Sequence, residues 1–135
     1  AEAEKLGITN NKSIQIVPYI YNMDEVMSAA DLAVCRSGAI TVSELCALGK
    51  PTILIPSPNV THNHQEYNAR ALSDNGAAIT ILEKDFNVSA LDAAVRSILK
   101  DEESIRTMSA ASSKIKSVDA LEIIYKELKK ITAAR

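Results

Sequence analysis

Tryptophan is absent from this sequence and aromatic residues make up only 4% of it, so little is available for stacking against exposed bases. Charge of one sign is equally scarce: 15 Lys and Arg stand against 17 Asp and Glu, a net −2 at neutral pH. That balance lacks the basic field a nucleic-acid partner requires. Cysteine occurs only at positions 35 and 46, on an expected strand end and helix face. Two such residues suit reduced, buried thiols better than a disulfide framework. No apolar run approaches bilayer-spanning length, and no signal-peptide pattern opens the chain. His62 and His64 have only the helical Glu66 near them in sequence, so neither a metal nor any other cofactor is expected. An initiator Met is also missing at Ala1, which hints at a fragment.

The 135 residues, 47% hydrophobic and 24% charged, suit a single domain over residues 1–135 with one core. Residues 1–7 read as the tail of a helix ending at Gly7, followed by a polar turn over 9–12. Residues 13–17 alternate and are β-branched, which predicts a strand. Asn22 is placed to cap a helix carrying Met23, Val26, Met27 and Ala30. Further strands are expected at 31–35, 51–55 and 77–82. Helices are expected at 41–48, within a stretch from 61 that is polar at its start and helical beyond to about 74, and at about 88–99, 101–116 and 119–133. Gly49-Lys50-Pro51 and Asn75-Gly76 mark stops. The last helix carries an apolar stripe of Leu121, Ile124, Leu128 and Ile131.

Short, almost wholly apolar strands alternating with helices predict an α/β fold: a Rossmann-like parallel sheet with helices on both faces. Ligands in such folds bind beyond the carboxyl ends of the strands, where the loops 18–22, 36–40 and 56–64 fall. The most informative stretch is Cys35-Arg-Ser-Gly-Ala-Ile-Thr-Val-Ser-Glu44. A strand, a tight turn with Arg36, Ser37 and Gly38, and a helix start form a ready anion site, because the first helical amides have no intrahelical partner. Gly38 permits a positive φ or close approach of a ligand. An alternative remains open: Thr41 and Glu44 also fit a capping box, which would make Glu44 structural.

The other loops carry similar pairs of readings. Ile20 and Met23 suit the edge and face of a flat base such as uracil, or belong to the core. Gln65 and Asn68 share a helix face and offer the donors and acceptors that sugar hydroxyls need; polar residues at the start of a surface helix are also commonplace. His64 either caps that helix or lines the pocket. Ser37 and Cys35 lack a base-and-orienter set, so a nucleophilic hydrolase is not expected.

Tyr19-Ile-Tyr-Asn-Met23, Ala30-Asp-Leu-Ala-Val-Cys-Arg-Ser-Gly-Ala-Ile-Thr-Val-Ser-Glu44, Gly49-Lys-Pro51 and His64-Gln-Glu-Tyr-Asn-Ala69 together resemble the peptidoglycan N-acetylglucosaminyltransferases of glycosyltransferase family 28, which have the GT-B fold. The resemblance runs almost the length of the chain and covers the later part of the family's C-terminal, donor-binding domain. It implies that Ile20 holds the uracil through its backbone and that Glu44 holds the ribose hydroxyls. The amides of Ala39, Ile40 and Thr41 would take the diphosphate. Gln65 and Asn68, with His64, would bind the N-acetylglucosamine hydroxyls, while Arg36 braces the loop.

The implied reaction moves N-acetylglucosamine from UDP-N-acetylglucosamine to a muramoyl-pentapeptide on undecaprenyl pyrophosphate, with inversion. It would take place on the cytoplasmic face of the membrane without a protein-bound metal. The chain departs from the family in lacking the Gly-rich, Ser-containing turn after the domain's first strand and the whole N-terminal acceptor domain. An inactive isolated chain is therefore expected. With the usual strand order, strand 13–17 would lose the neighbours joining it to strand 31–35. The sheet would then pair these two strands directly, borrow a strand from another copy, or keep an open edge, and an exposed edge favours a homodimer. Two further readings stand beside this one: a family 28 transferase using UDP-galactose, and a non-catalytic UDP-sugar-binding subunit of a split transferase.

Overall fold

A computed structural model describes residues 12–115 and 120–133. The expected helix tail at 1–7 and almost all of the turn at 9–12 lie outside the described residues. In chain order the elements are α1 (Met23–Ala29), β1 (Ala33–Cys35), α2 (Ala39–Leu48), β2 (Thr52–Leu54), α3 (His64–Ser73), β3 (Ala78–Thr80), α4 (Val88–Leu99), α5 (Glu102–Ile115) and α6 (Ala120–Ala133). Single 3-10 turns precede α3 and α4, at Thr61–Asn63 and Glu83–Asp85.

The sheet is parallel, in the order β1-β2-β3, with Ala33, Thr52 and Ala78 in register. Central β2 is buried along its whole length, as a strand covered on both faces must be. Because side chains alternate across a strand, Leu54 and Ala78 face one layer and Ile53 and Ile79 the other. The first layer packs Cys46 of α2 with Ala69 and Leu72 of α3. The second packs Ala94 and Ile98 of α4. Helix α5 contributes to both, through Ala111 and Ile115 on one side and Ile105 and Met108 on the other.

Helix α2 stops where the sequence signals. Gly49 takes a left-handed φ of 60°, a conformation costly for residues with a Cβ. Its amide and that of Lys50 bond back to Cys46 and Leu45. Asn22 precedes α1 as expected, but its amide side chain donates to Glu25 Oε2 at 2.6 Å instead of capping the helix backbone. The apolar stripe expected on α6 is present and solvent-exposed.

One strand is corrected. Residues 13–17 alternate as a strand should, yet they lie outside the sheet, and Ile14, Ile16 and Val17 are exposed. Strand propensity expresses a fit to a half-buried pleated surface, and here β1 does not receive that segment as a neighbour. Among the described residues the sheet therefore ends at β1 with an open edge, where Val34 is 45% exposed.

Candidate functional site

The loops at the carboxyl ends of β1 and β2 meet the start of α3. Helix α2 begins two residues earlier than expected, with Gly38 as its N-cap and no side-chain cap. Val42 is the first residue of α2 whose amide finds an intrahelical acceptor, Gly38 O at 2.9 Å. Among the described residues, the amides of Ala39, Ile40 and Thr41 have no bonding partner. With the helix starting at Ala39, Thr41 sits inside the first turn, so the Thr41–Glu44 capping box does not form. Glu44 is exposed one turn further on, on the same side as Ile40 and Thr41.

Gly38 has φ −64°, so no left-handed conformation explains it. A Cβ placed on it would meet nothing within 4 Å. The fold itself leaves room there, directly before three unpartnered amides.

Ser37 is completely buried, and burial of its polar groups requires partners. Its hydroxyl donates to the Gln65 carbonyl at 2.7 Å. Its own carbonyl accepts from Asn68 Nδ2 at 3.0 Å. Gln65 Oε1 in turn accepts from the Ser57 amide at 2.9 Å. Ser37, Gln65 and Asn68 are thus in direct contact, and they tie both loops to the first turns of α3. His64 is exposed, with Nδ1 2.8 Å from the Thr61 carbonyl. It follows His62 and Asn63, both left-handed at φ 55° and 53°.

Arg36 turns away from this cluster. It donates to the Ile55 carbonyl at 3.1 Å and forms an ion pair with Glu83, beyond β3. That bond holds the Glu83 carboxyl below the ordinary carboxylate range and raises Arg36. Burial pushes the Cys35 thiol up, which leaves it the poorer nucleophile.

Ile20 lines a separate cleft of about 370 Å³ with Tyr19, Tyr21 and Val26, and the two tyrosine rings meet edge to face at 4.9 Å. Met23 opens α1 and is 45% exposed. Helix α1 packs against α2 and is held at its end by Lys50, whose Nζ donates to the carbonyls of Ser28 and Ala30 at 2.6 and 2.9 Å. A cleft of about 440 Å³ between Pro56, Pro58, Glu66 and Glu83 includes none of the residues expected at the site. Among the described residues, His62 and His64 gather no set of metal ligands.

Sequence reasoning missed Lys50, Ser57 and Glu83, which hold the site's loops and helices in place. Lys50 lay in plain view after Gly49, but only the return of α1 shows what it binds. Ser57 and Glu83 act through a backbone amide and a partner 47 residues away, and neither leaves a pattern in sequence.

Residues 2–124 match the glycosyltransferase family 28 C-terminal domain. A UDP-N-acetylglucosamine–N-acetylmuramyl-(pentapeptide) pyrophosphoryl-undecaprenol N-acetylglucosamine transferase of Acetivibrio thermocellus is 49% identical over 128 residues, which is 95% of this chain and 35% of that protein. One of the same name from Ruminiclostridium cellulolyticum is 48% identical over 118 residues, 87% of this chain and 32% of the other. The chain thus spans about a third of the length of these relatives. A crystal structure of Acinetobacter baumannii MurG superposes with a TM-score of 0.83 at 26% identity, covering 96% of this chain and 40% of that one.

Proposed function

The chain belongs to the glycosyltransferase family 28 C-terminal domain family, and on that premise we propose that it is the donor-binding part of an inverting N-acetylglucosaminyltransferase of peptidoglycan synthesis. The observation that carries the reading is the uncapped start of α2, where three consecutive amides stand free in front of Gly38. Such a helix end binds phosphate through its N–H groups and its dipole. The UDP diphosphate sits there, and Glu44, one turn on, accepts from the ribose hydroxyls. Ile20 presents backbone groups to the uracil, with Met23 beside it. Gln65 spends Oε1 on Ser57, which leaves its Nε2 donor and His64 for the sugar hydroxyls.

Chemically, these residues bind the donor and neutralise charge growing on the departing UDP. Preorganised donors of this kind are typically worth roughly 2.7–4 kcal/mol each. The sugar passes to a lipid-linked muramoyl-pentapeptide recognised outside this segment, at the cytoplasmic face of the membrane, so the chain alone binds without turnover. Among the described residues no helix is long and apolar enough to cross a membrane. The open β1 edge is the surface on which a second copy would pair.

Calorimetry with UDP-N-acetylglucosamine, UDP-galactose and UDP tests the reading. The N-acetylglucosamine donor binds best, and Glu44→Ala weakens it by roughly 1.5–3 kcal/mol, the scale of a hydrogen bond to a charged group. Since no capping box exists, folding stability changes by less than about 0.5 kcal/mol. Equal binding of all three ligands, or a stability loss in Glu44→Ala matching its affinity loss, would overturn the assignment.

A further inference from the structure

Asn68 has a side chain on the helix face expected to meet the sugar, yet one of its two N–H donors is already engaged by the neighbouring loop. Nδ2 bonds to the carbonyl of Ser37 at 3.0 Å, and the Ser37 hydroxyl returns a bond to the Gln65 carbonyl at 2.7 Å. The pair is reciprocal: α3 gives one donor and one acceptor, and Ser37 gives the complementary two. Ser37 is fully buried, so leaving either of its groups unpartnered carries a desolvation penalty that the clasp avoids. Ser37 lies one residue before Gly38, and Gly38 one residue before the three free amides. Whatever fixes the Ser37 peptide therefore fixes the direction in which those amides point.

We infer that Asn68 is a positioning residue for the diphosphate subsite, acting through the Ser37 carbonyl to aim the amides of Ala39, Ile40 and Thr41. The inference deepens the donor-binding reading and rests on it for the identity of the anion. It separates two neighbours on one helix. Gln65 holds the Ser57 amide through Oε1 and keeps Nε2 free; Asn68 commits one N–H of its amide to the Ser37 carbonyl. Removing the Asn68 donor should thus loosen the phosphate site and affect ligands with and without the sugar alike.

The experiment compares UDP and UDP-N-acetylglucosamine titrations for the wild-type chain, Asn68→Ala, Asn68→Asp and Gln65→Glu. Thermal melts and backbone ¹⁵N order parameters of residues 36–39 are measured without ligand. Asn68→Ala is expected to weaken both ligands by the same factor, about three- to tenfold. The order parameters at 36–39 should fall from about 0.85 toward 0.6. Asn68→Asp keeps the shape but cannot donate, so it gives the same result should the alanine variant fold poorly. Gln65→Glu retains the acceptor for Ser57 and weakens UDP-N-acetylglucosamine alone.

Loss confined to the sugar nucleotide in both Asn68 variants would make Asn68 a sugar ligand and overturn the inference. So would unchanged order parameters at 36–39, or a lowered melting temperature with both affinities intact. If wild type binds neither nucleotide, the donor reading fails, while the order parameters still decide whether Asn68 sets the amides.

Discussion

Arg36 and Glu83, 47 residues apart, form an ion pair across the carboxyl end of the sheet, and the same guanidinium donates to the Ile55 carbonyl at 3.1 Å. One side chain thereby joins the segments that follow β1, β2 and β3, on the side of the sheet away from the Ser37 clasp.

This pair sets a pH dependence. The hydrogen bond from Arg36 holds the Glu83 carboxyl below its ordinary value. A depressed carboxylate stabilises the fold above its unfolded pKa, about 4.3 for Glu. That stabilisation is lost as pH falls through the folded value. Glu83→Gln should therefore melt below wild type at neutral pH, and the two melting curves should converge as the pH drops beneath the usual carboxylate range. Both side chains are about half exposed, so added salt should narrow the neutral-pH gap as well.

Gly49 is required by geometry. It combines a φ of 60° with a position where a Cβ would run into Ser113, while its carbonyl accepts from Ser109 at 2.6 Å. Gly49→Ala should cost roughly 1–3 kcal/mol in denaturant unfolding, at an unchanged m value.

Gly38 makes the opposite case. Its φ is ordinary and a Cβ would meet open space. Gly38→Ala should change stability by less than about 1 kcal/mol, since a poorer N-cap is offset by a less flexible unfolded chain. Calorimetry should nonetheless record a clear loss of UDP affinity, because the added methyl stands before the free amides. Unchanged affinity would place the phosphates elsewhere.

Val34 sits on the open edge strand, 45% exposed. Light scattering at rising concentration should show association of the wild-type chain, and Val34→Lys should shift it toward monomer, as edge lysines do. A monomeric wild type across the whole range would remove the paired-copy proposal.

Read by itself, the amino-acid order determined the α/β class, the alternation of strands with helices from residue 22 onward, the stops at Gly49 and Gly76, and the stretch where α2 begins. Those features depend on local backbone sterics and on which face of each element is apolar, and both are written in neighbouring residues. Only the tertiary structure decided that residues 13–17 stay outside the sheet, because a strand needs a partner and a buried surface that lie far off in the chain. Contacts at long range also turned Arg36 toward Glu83 and committed Asn68 to the carbonyl of Ser37, and the start of α2 at Ala39 left the Thr41–Glu44 capping box unformed. Each of those outcomes rests on a hydrogen bond or a cap whose partner is chosen by how the helices settle on the sheet, and periodicity in sequence carries no record of that choice.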